Sequence, residues 1–326
     1  MRPNPVLEFA LETVREYRDQ GIGLVLAVGG GSVMDTAKAV AAGLASSAAG
    51  MEEAFRGRAP LGAALGVGAV VTMAASGSET SPTAVLSDGR THEKLICTSP
   101  LLVPRFAILN PVLTCTTPPL QTACGAADIL MHTLERYCAD LGGNALTDAL
   151  AEGLMRTVVE YGPRCLAEPG DYAARSELMW CGSLSHCGLT GLGRDNGFPV
   201  HRLGHELAAR YDIPHGMSLT ILWPHWAQAA RRVLAPRLAR LARTVFGAAE
   251  PEEDAASLAC IHAVSAWFEG LGLPVSFAQA PMGREKDQVL AQFAARCTSG
   301  GTAPLGGLCP LDYGQVLAVY RAANGG

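Results

Sequence analysis

A chain of 326 residues with 49% apolar side chains can fill two cores, so two domains are expected. Its 25 basic and 30 acidic residues leave a net charge of -5, without the basic excess that a nucleic-acid partner demands. No stretch is apolar for long enough to span a membrane, the N-terminal segment lacks a hydrophobic signal core, and the ten cysteines form no C-x-x-C pair, which together point to a reducing, cytoplasmic location.

In chain order, Val6, Phe9, Ala10, Val14 and Tyr17 line one side of a helix that ends near Gly21. GLVLAV, residues 23–28, reads as a buried strand. In the GGGSVMDTAKAVAAG that follows, glycines turn the chain and Ser32 opens a helix whose free N–H groups and dipole suit a phosphate. The motif is neither G-x-G-x-x-G nor a P-loop, and such glycines serve tight packing as readily as a ligand. Residues 44–62 read as a connector and GVGAVVTM as a second buried strand. Residues 75–88 read as a hydroxyl-rich loop with donors for a diphosphate or ribose, and RFAILN as a strand that Pro111 ends. From Pro118 helix-length patterns take over, giving an α/β half over residues 1–117 and a helical half over 118–326.

The helical half carries the chemistry. Asp128 and His132 stand at i and i+4 in GAADILMHTLERY, as do His201 and His205 in HRLGHELAARYDIPHG, where His215 follows Pro214 in a turn. A cluster of nitrogen and oxygen donors without thiolate suits a catalytic divalent metal better than a structural zinc knot. A single histidine is more often a core or surface residue, and His92, His186, His225 and His262, which match no motif, are read that way. Cys124 reads as a buried thiol, and Pro224 as the end or kink of a helix.

In this order and spacing, GGGSVMDTAK, ASGSET, ADILMHTLERY and HRLGHELAARYDIPHG resemble the iron-containing (group III) alcohol dehydrogenase family. The last motif looks most like the butanol dehydrogenase and broad-specificity aldehyde reductase branch. The resemblance covers essentially the whole chain. It implies a dehydroquinate synthase-like fold: a Rossmann-like α/β N-terminal domain, incomplete at its N-terminus, plus an all-α C-terminal metal-binding domain. It places metal ligands at Asp128, His132, His201 and His215 and a substrate-facing proton relay at His205. Gly30, Gly31, Ser32 and Asp35 match the cofactor loop, and Thr72, Ser76 and Lys94 match positions lining the dinucleotide. The implied metal is Fe(II), although the ligand set also accepts Zn(II) or another divalent ion. The implied reaction passes hydride between NAD(P)(H), with NADP(H) favoured, and a small primary alcohol or aldehyde, the metal acting as Lewis acid on the substrate oxygen.

Members of the family carry further strands and helices before the segment that opens this chain. The nucleotide domain is therefore expected to be partial, with exposed apolar sheet surface, weaker cofactor binding and a weakened homodimer. A catalytically impaired paralogue, kept as a metal-binding or interaction module, is the alternative reading. Asn110 stands where relatives usually have Asp.

Overall fold

The computed structural model describes residues 5–91, 93–194 and 197–325. Its N-terminal half opens with α1 (Leu7–Tyr17), β1 (Leu24–Gly29), α2 (Gly31–Ala45), α3 (Ala48–Phe55) and β2 (Gly66–Val71). The hairpin β3 (Thr83–Ser87) and β4 (Lys94–Thr98) follows, then β5 (Phe106–Leu109). β1, β2 and β5 form a parallel sheet with β2 in the centre, Leu26 opposite Gly68 and Gly68 opposite Phe106. Its inner face, with Ala27, Val67, Ala69 and Val71, packs on Met34, Ala37 and Ala41 of α2 and on Met179 from the helical half. Its other face carries Leu24, Leu26, Val28, Phe106 and Ile108, which are 44–57% exposed.

Four expectations fail locally. β1, read as a buried strand, leaves Leu24, Leu26 and Val28 about half exposed. α3 occupies the presumed connector, because Ser47 caps it by accepting a hydrogen bond from Gly50 N. The presumed loop over residues 75–88 ends in β3, whose antiparallel pairing with β4 buries Ala84, Leu86, Leu95 and Cys97 against α1. Ser32 does not open α2; the helix starts at Gly31 with Gly30 at the N-cap.

The helical half comprises α4 (Pro119–Tyr137), α5 (Ala145–Ala167), α6 (Tyr172–His186), α7 (Pro199–Tyr211), α8 (His215–Val245), α9 (Glu253–Gly270), α10 (Asp287–Cys297) and α11 (Tyr313–Gly325). Its core is one cluster centred on α4 and α8, with Tyr137, Trp223, Phe268 and Phe293 wholly buried or nearly so. Pro224 does not end a helix: α8 runs through it and through Pro236. Its packing along α9 and the burial of Trp223 and Trp226 outweigh the missing hydrogen bonds. Among the described residues no helix is long and apolar enough to cross a membrane.

The halves are joined by the loop after β2. Thr80 Oγ1 donates to Ser183 O at 2.7 Å, Ser183 Oγ donates to Glu79 Oε1 at 2.5 Å, and Gly125 of α4 lies so close to Ala74 that a Cβ there would sit 2.2 Å from its carbonyl oxygen. This contact brings the start of α2 and the loop beside it toward the histidine helices.

Candidate active site

α4 supplies Asp128 and His132 one turn apart, and their side chains face α7 and the start of α8. Asp128 Oδ1 lies 3.8 Å from His132 Nδ1, 3.6 Å from His201 Nε2 and 3.8 Å from His215 Nε2. Ligand atoms of Asp128, His201 and His215 all fall within 4.8 Å of one another. His132 stacks on His201 with ring centroids 4.5 Å apart. Three of the sequence-derived donors thus form one close group, and His132 lies at its edge, near Asp128 and against His201 but outside the mutual 4.8 Å set.

Asp128 Oδ1, His132 Nδ1 and His201 Nε2 are buried without a hydrogen-bond partner. Leaving three such atoms unpaired side by side costs free energy that a cation would recover, so this donor set fits a divalent metal. The charges agree. Burial would raise the Asp128 carboxyl, yet His201 and His215 hold it below the usual range. Burial pushes His132 well below 6.5 and His215 to about 4, so both are neutral, as ligands must be. His201 is the exception: burial opposes its charge, but Glu135 and Asp128 raise it to about 9, so without metal this ring holds a proton.

His205 is half-buried one turn along α7 from His201, its ring 5.4 Å from that of His215. Burial first, then His215 and His201, hold it well below 6.5, so the ordinary imidazole pKa assumed for a relay does not apply. Lys94 reaches toward this group from β4. Burial lowers it to about 8 against the pull of Asp212 and Asp35, and its charge in turn depresses His205 and His215. Its Nζ donates to Ser87 Oγ at 2.8 Å.

The glycine loop lies beside the next strand. A Cβ on Gly31 would sit 2.3 Å from Ser76 Oγ, and one on Gly30 would touch Met73 at 3.4 Å, so protein packing already requires small residues here. Gly30 O receives the N–H groups of Val33 and Met34, and Ser32 lies in the first turn of α2. Thr72 N donates to Gly29 O at 3.1 Å, holding the second loop against the first. Asp35 faces inward. Its carboxylate accepts from Ser78 Oγ at 2.6 Å and from Val85 N at 3.0 Å, with burial raising its pKa against Lys38.

Sequence reasoning missed three neighbours. Glu135, three residues after His132 and so on the same face of α4, bonds to His201. His186, expected to be structural or on the surface, packs on His132 with ring centroids 4.2 Å apart and accepts from Arg136 Nη2 at 3.2 Å, so it forms a wall of the site. Phe198, with φ +44°, sets its ring edge-on to His201 at 5.2 Å. Only Glu135 carried a signal, its helical spacing. Cys124 is a buried thiol pushed up to about 12, as expected.

A parallel-sheet half with a glycine-bounded helix start, joined to a helical half that gathers one carboxylate and three imidazoles, defines a metal-dependent dehydrogenase. The chain belongs to the iron-containing alcohol dehydrogenase family: residues 1–111 match the description "Iron-containing alcohol dehydrogenase" and residues 122–323 match "Fe-containing alcohol dehydrogenase family, C-terminal". It is 35% identical over 324 residues to NADH-dependent butanol dehydrogenase B of Clostridium acetobutylicum, covering 98% of this chain and 82% of that one. To the NADPH-dependent aldehyde reductase YqhD of Escherichia coli it is 35% identical over 281 residues, covering 84% and 71%. The crystal structure of NADH-dependent butanol dehydrogenase A from Thermotoga maritima superposes with a TM-score of 0.92 at 33% identity, over 99% of this chain and 82% of that one. The expected fold is confirmed, and nothing in these relationships supports an impaired paralogue.

Proposed function

We propose that this chain interconverts a primary alcohol and its aldehyde with NAD(P)(H) in the cytoplasm, using a divalent metal, iron in the named family, held by Asp128, His132, His201 and His215. The observation that carries this reading is the group of buried, unpaired donor atoms around Asp128. When bound, the metal supplies Lewis acidity to the substrate oxygen and the nicotinamide supplies or accepts the hydride.

The chain's own residues do the rest. Gly30, Gly31 and Ser32 offer the start of α2 to the cofactor phosphates, with Thr72 and Ser76 flanking them. Asp35 acts one step removed, since its hydrogen bonds to Ser78 and Val85 hold the neighbouring loop and hairpin in place. Lys94 places a cation between the cofactor side and His205. His205, one turn from His201 and half-buried beside His215, is placed to pass on the proton that the alcohol gives up and to return one to the substrate oxygen after hydride addition; its lowered pKa means that it hands the proton on rather than storing it. Phe198 shields one side of the histidine cluster from water.

Elemental analysis of anaerobically purified protein, with butanal reduction assayed separately with NADH and NADPH, tests the reading. About one divalent ion per chain and chelator-sensitive turnover are expected, both lost in His201→Ala. Turnover that survives chelation, or metal retained in full by His201→Ala, would overturn it.

A further inference from the structure

We infer that Glu135 is the positioning residue of the site: one carboxylate both starts α7 and sets the face that His201 turns toward Asp128. It lies on α4, seven residues after Asp128 and three after His132, so all three share one side of that helix. Its side chain is 1% exposed, and both oxygens are used. Oε1 accepts from Val200 N at 2.6 Å, and Oε2 accepts from His201 N at 3.3 Å and from His201 Nδ1 in a short contact.

The first role follows from what α7 lacks. Its N-cap is Phe198, in the left-handed region at φ +44° and without a side-chain cap, so the chain supplies no local acceptor for the first N–H groups. Glu135 supplies it from 65 residues away, and a negative charge there also suits the helix dipole. The second role follows from valence. A carboxylate only accepts, so His201 Nδ1 keeps its hydrogen, and once a metal displaces the second proton the lone pair of Nε2 is the one on the side facing Asp128 Oδ1, 3.6 Å away. Glu135 thereby ties α7 to the helix that bears Asp128 and His132, and donors from two helices share one register.

The inference rests on the metal reading above for what Nε2 faces, and the test separates the two. Glu135→Gln keeps an oxygen for Val200 N but presents an NH2 group to His201 Nδ1. The ring must then accept there and carry its hydrogen on Nε2, facing Asp128. Co(II) affinity of the full chain, measured by chelator competition with the visible Co(II) band as readout, is expected to fall about 10- to 100-fold. The chelated Gln protein loses the charge partner of His201, so its thermal midpoint should fall by a few degrees while unfolding stays cooperative and well above the assay temperature. Glu135→Asp, smaller but still a carboxylate, should retain more Co(II) affinity than Gln, because acceptor chemistry and not size is what His201 requires. Gln binding Co(II) like the wild type, or Gln outperforming Asp, would overturn the inference. So would a loss of affinity in Gln that only tracks unfolding of the chelated protein. A wild-type chain that bound no Co(II) would instead overturn the metal reading, and the inference with it.

Discussion

Gly216→Ala tests how the site is assembled without touching a ligand. Gly216 follows His215 at the start of α8, and an added Cβ there would sit 2.1 Å from Cys124 O, 2.8 Å from Cys124 C and 2.9 Å from Cys124 Cα. All three are backbone atoms of α4, one turn before Asp128, so no side chain can swing aside. Restoring ordinary contact requires α8 and α4 to part by roughly 1 Å, which carries His215 away from Asp128 by a similar distance. Metal sites hold their ligand distances to within about 0.2 Å, so this displacement is several times what coordination tolerates. Overpacking costs about 1–3 kcal/mol, and the better helix propensity of alanine returns at most about 1 kcal/mol. We expect Gly216→Ala to lower the thermal midpoint of the chelated protein by several degrees and to weaken Co(II) or Zn(II) binding at least about tenfold, a loss of about 1.4 kcal/mol or more. Gly153→Ala is the control. Its nearest neighbour would be Arg156 Nη2 at 3.8 Å, so it should be neutral or stabilising and leave metal binding unchanged. A Gly216→Ala protein with wild-type metal affinity and an undiminished midpoint would refute the reasoning.

Other outcomes follow from the same geometry. His201 is raised to about 9 without metal, above its unfolded value, so below that pH a metal must displace its proton; affinity should climb by up to about tenfold per pH unit and level off above about 9, which chelator competition across a pH series measures. A pH-independent affinity between 6 and 8 would contradict the raised pKa. His205→Ala should keep its metal by elemental analysis while butanal turnover falls about 10²- to 10⁴-fold. Gly31→Ala should raise the KM for NAD(P)H without changing Co(II) affinity, and removing the Ser76 side chain as well, in Gly31→Ala with Ser76→Gly, should restore part of it, because Ser76 Oγ at 2.3 Å is the clash. Leu26→Thr with Ile108→Thr, both about half exposed on the open sheet face, should cost little stability, of order 0.5 kcal/mol each, while reducing concentration-dependent light scattering.

The metal donors were legible because their spacing is helix geometry: residues four apart share a face whatever the rest of the chain does, so Asp128 with His132 and His201 with His205 declared themselves. What closes the set is tertiary. No pattern says that α4 faces α7, and so nothing local showed that Glu135 of one helix caps the other, or that His186 from the end of α6 packs on His132. The parallel strands were readable as short apolar runs, whereas β3 and β4 were lost among hydroxyl residues because only every second position is buried. Of the end or kink expected at Pro224, the end does not occur. A local rule against helix yielded to the packing of α8 along α9.

The glycines carry the deeper lesson. Between strand and helix they suggested a phosphate loop, yet Gly31 is small because Ser76 Oγ occupies the space a side chain would fill, and that contact holds the two loops of the nucleotide side together. Gly125 lets the loop after β2 rest against α4, and Gly216 lets α8 rest against the same helix. α4 is thus approached at backbone distance from both directions, by the half that would carry the cofactor and by the helix that carries His215. Cofactor and metal must meet across a distance fixed to fractions of an ångström for hydride to pass. Side chains repack to absorb such differences, but backbones in direct contact do not. The separation between the two chemistries is therefore set by residues with no chemistry of their own, and a methyl group at Gly125 should disturb turnover with both substrates bound more than it disturbs binding of either.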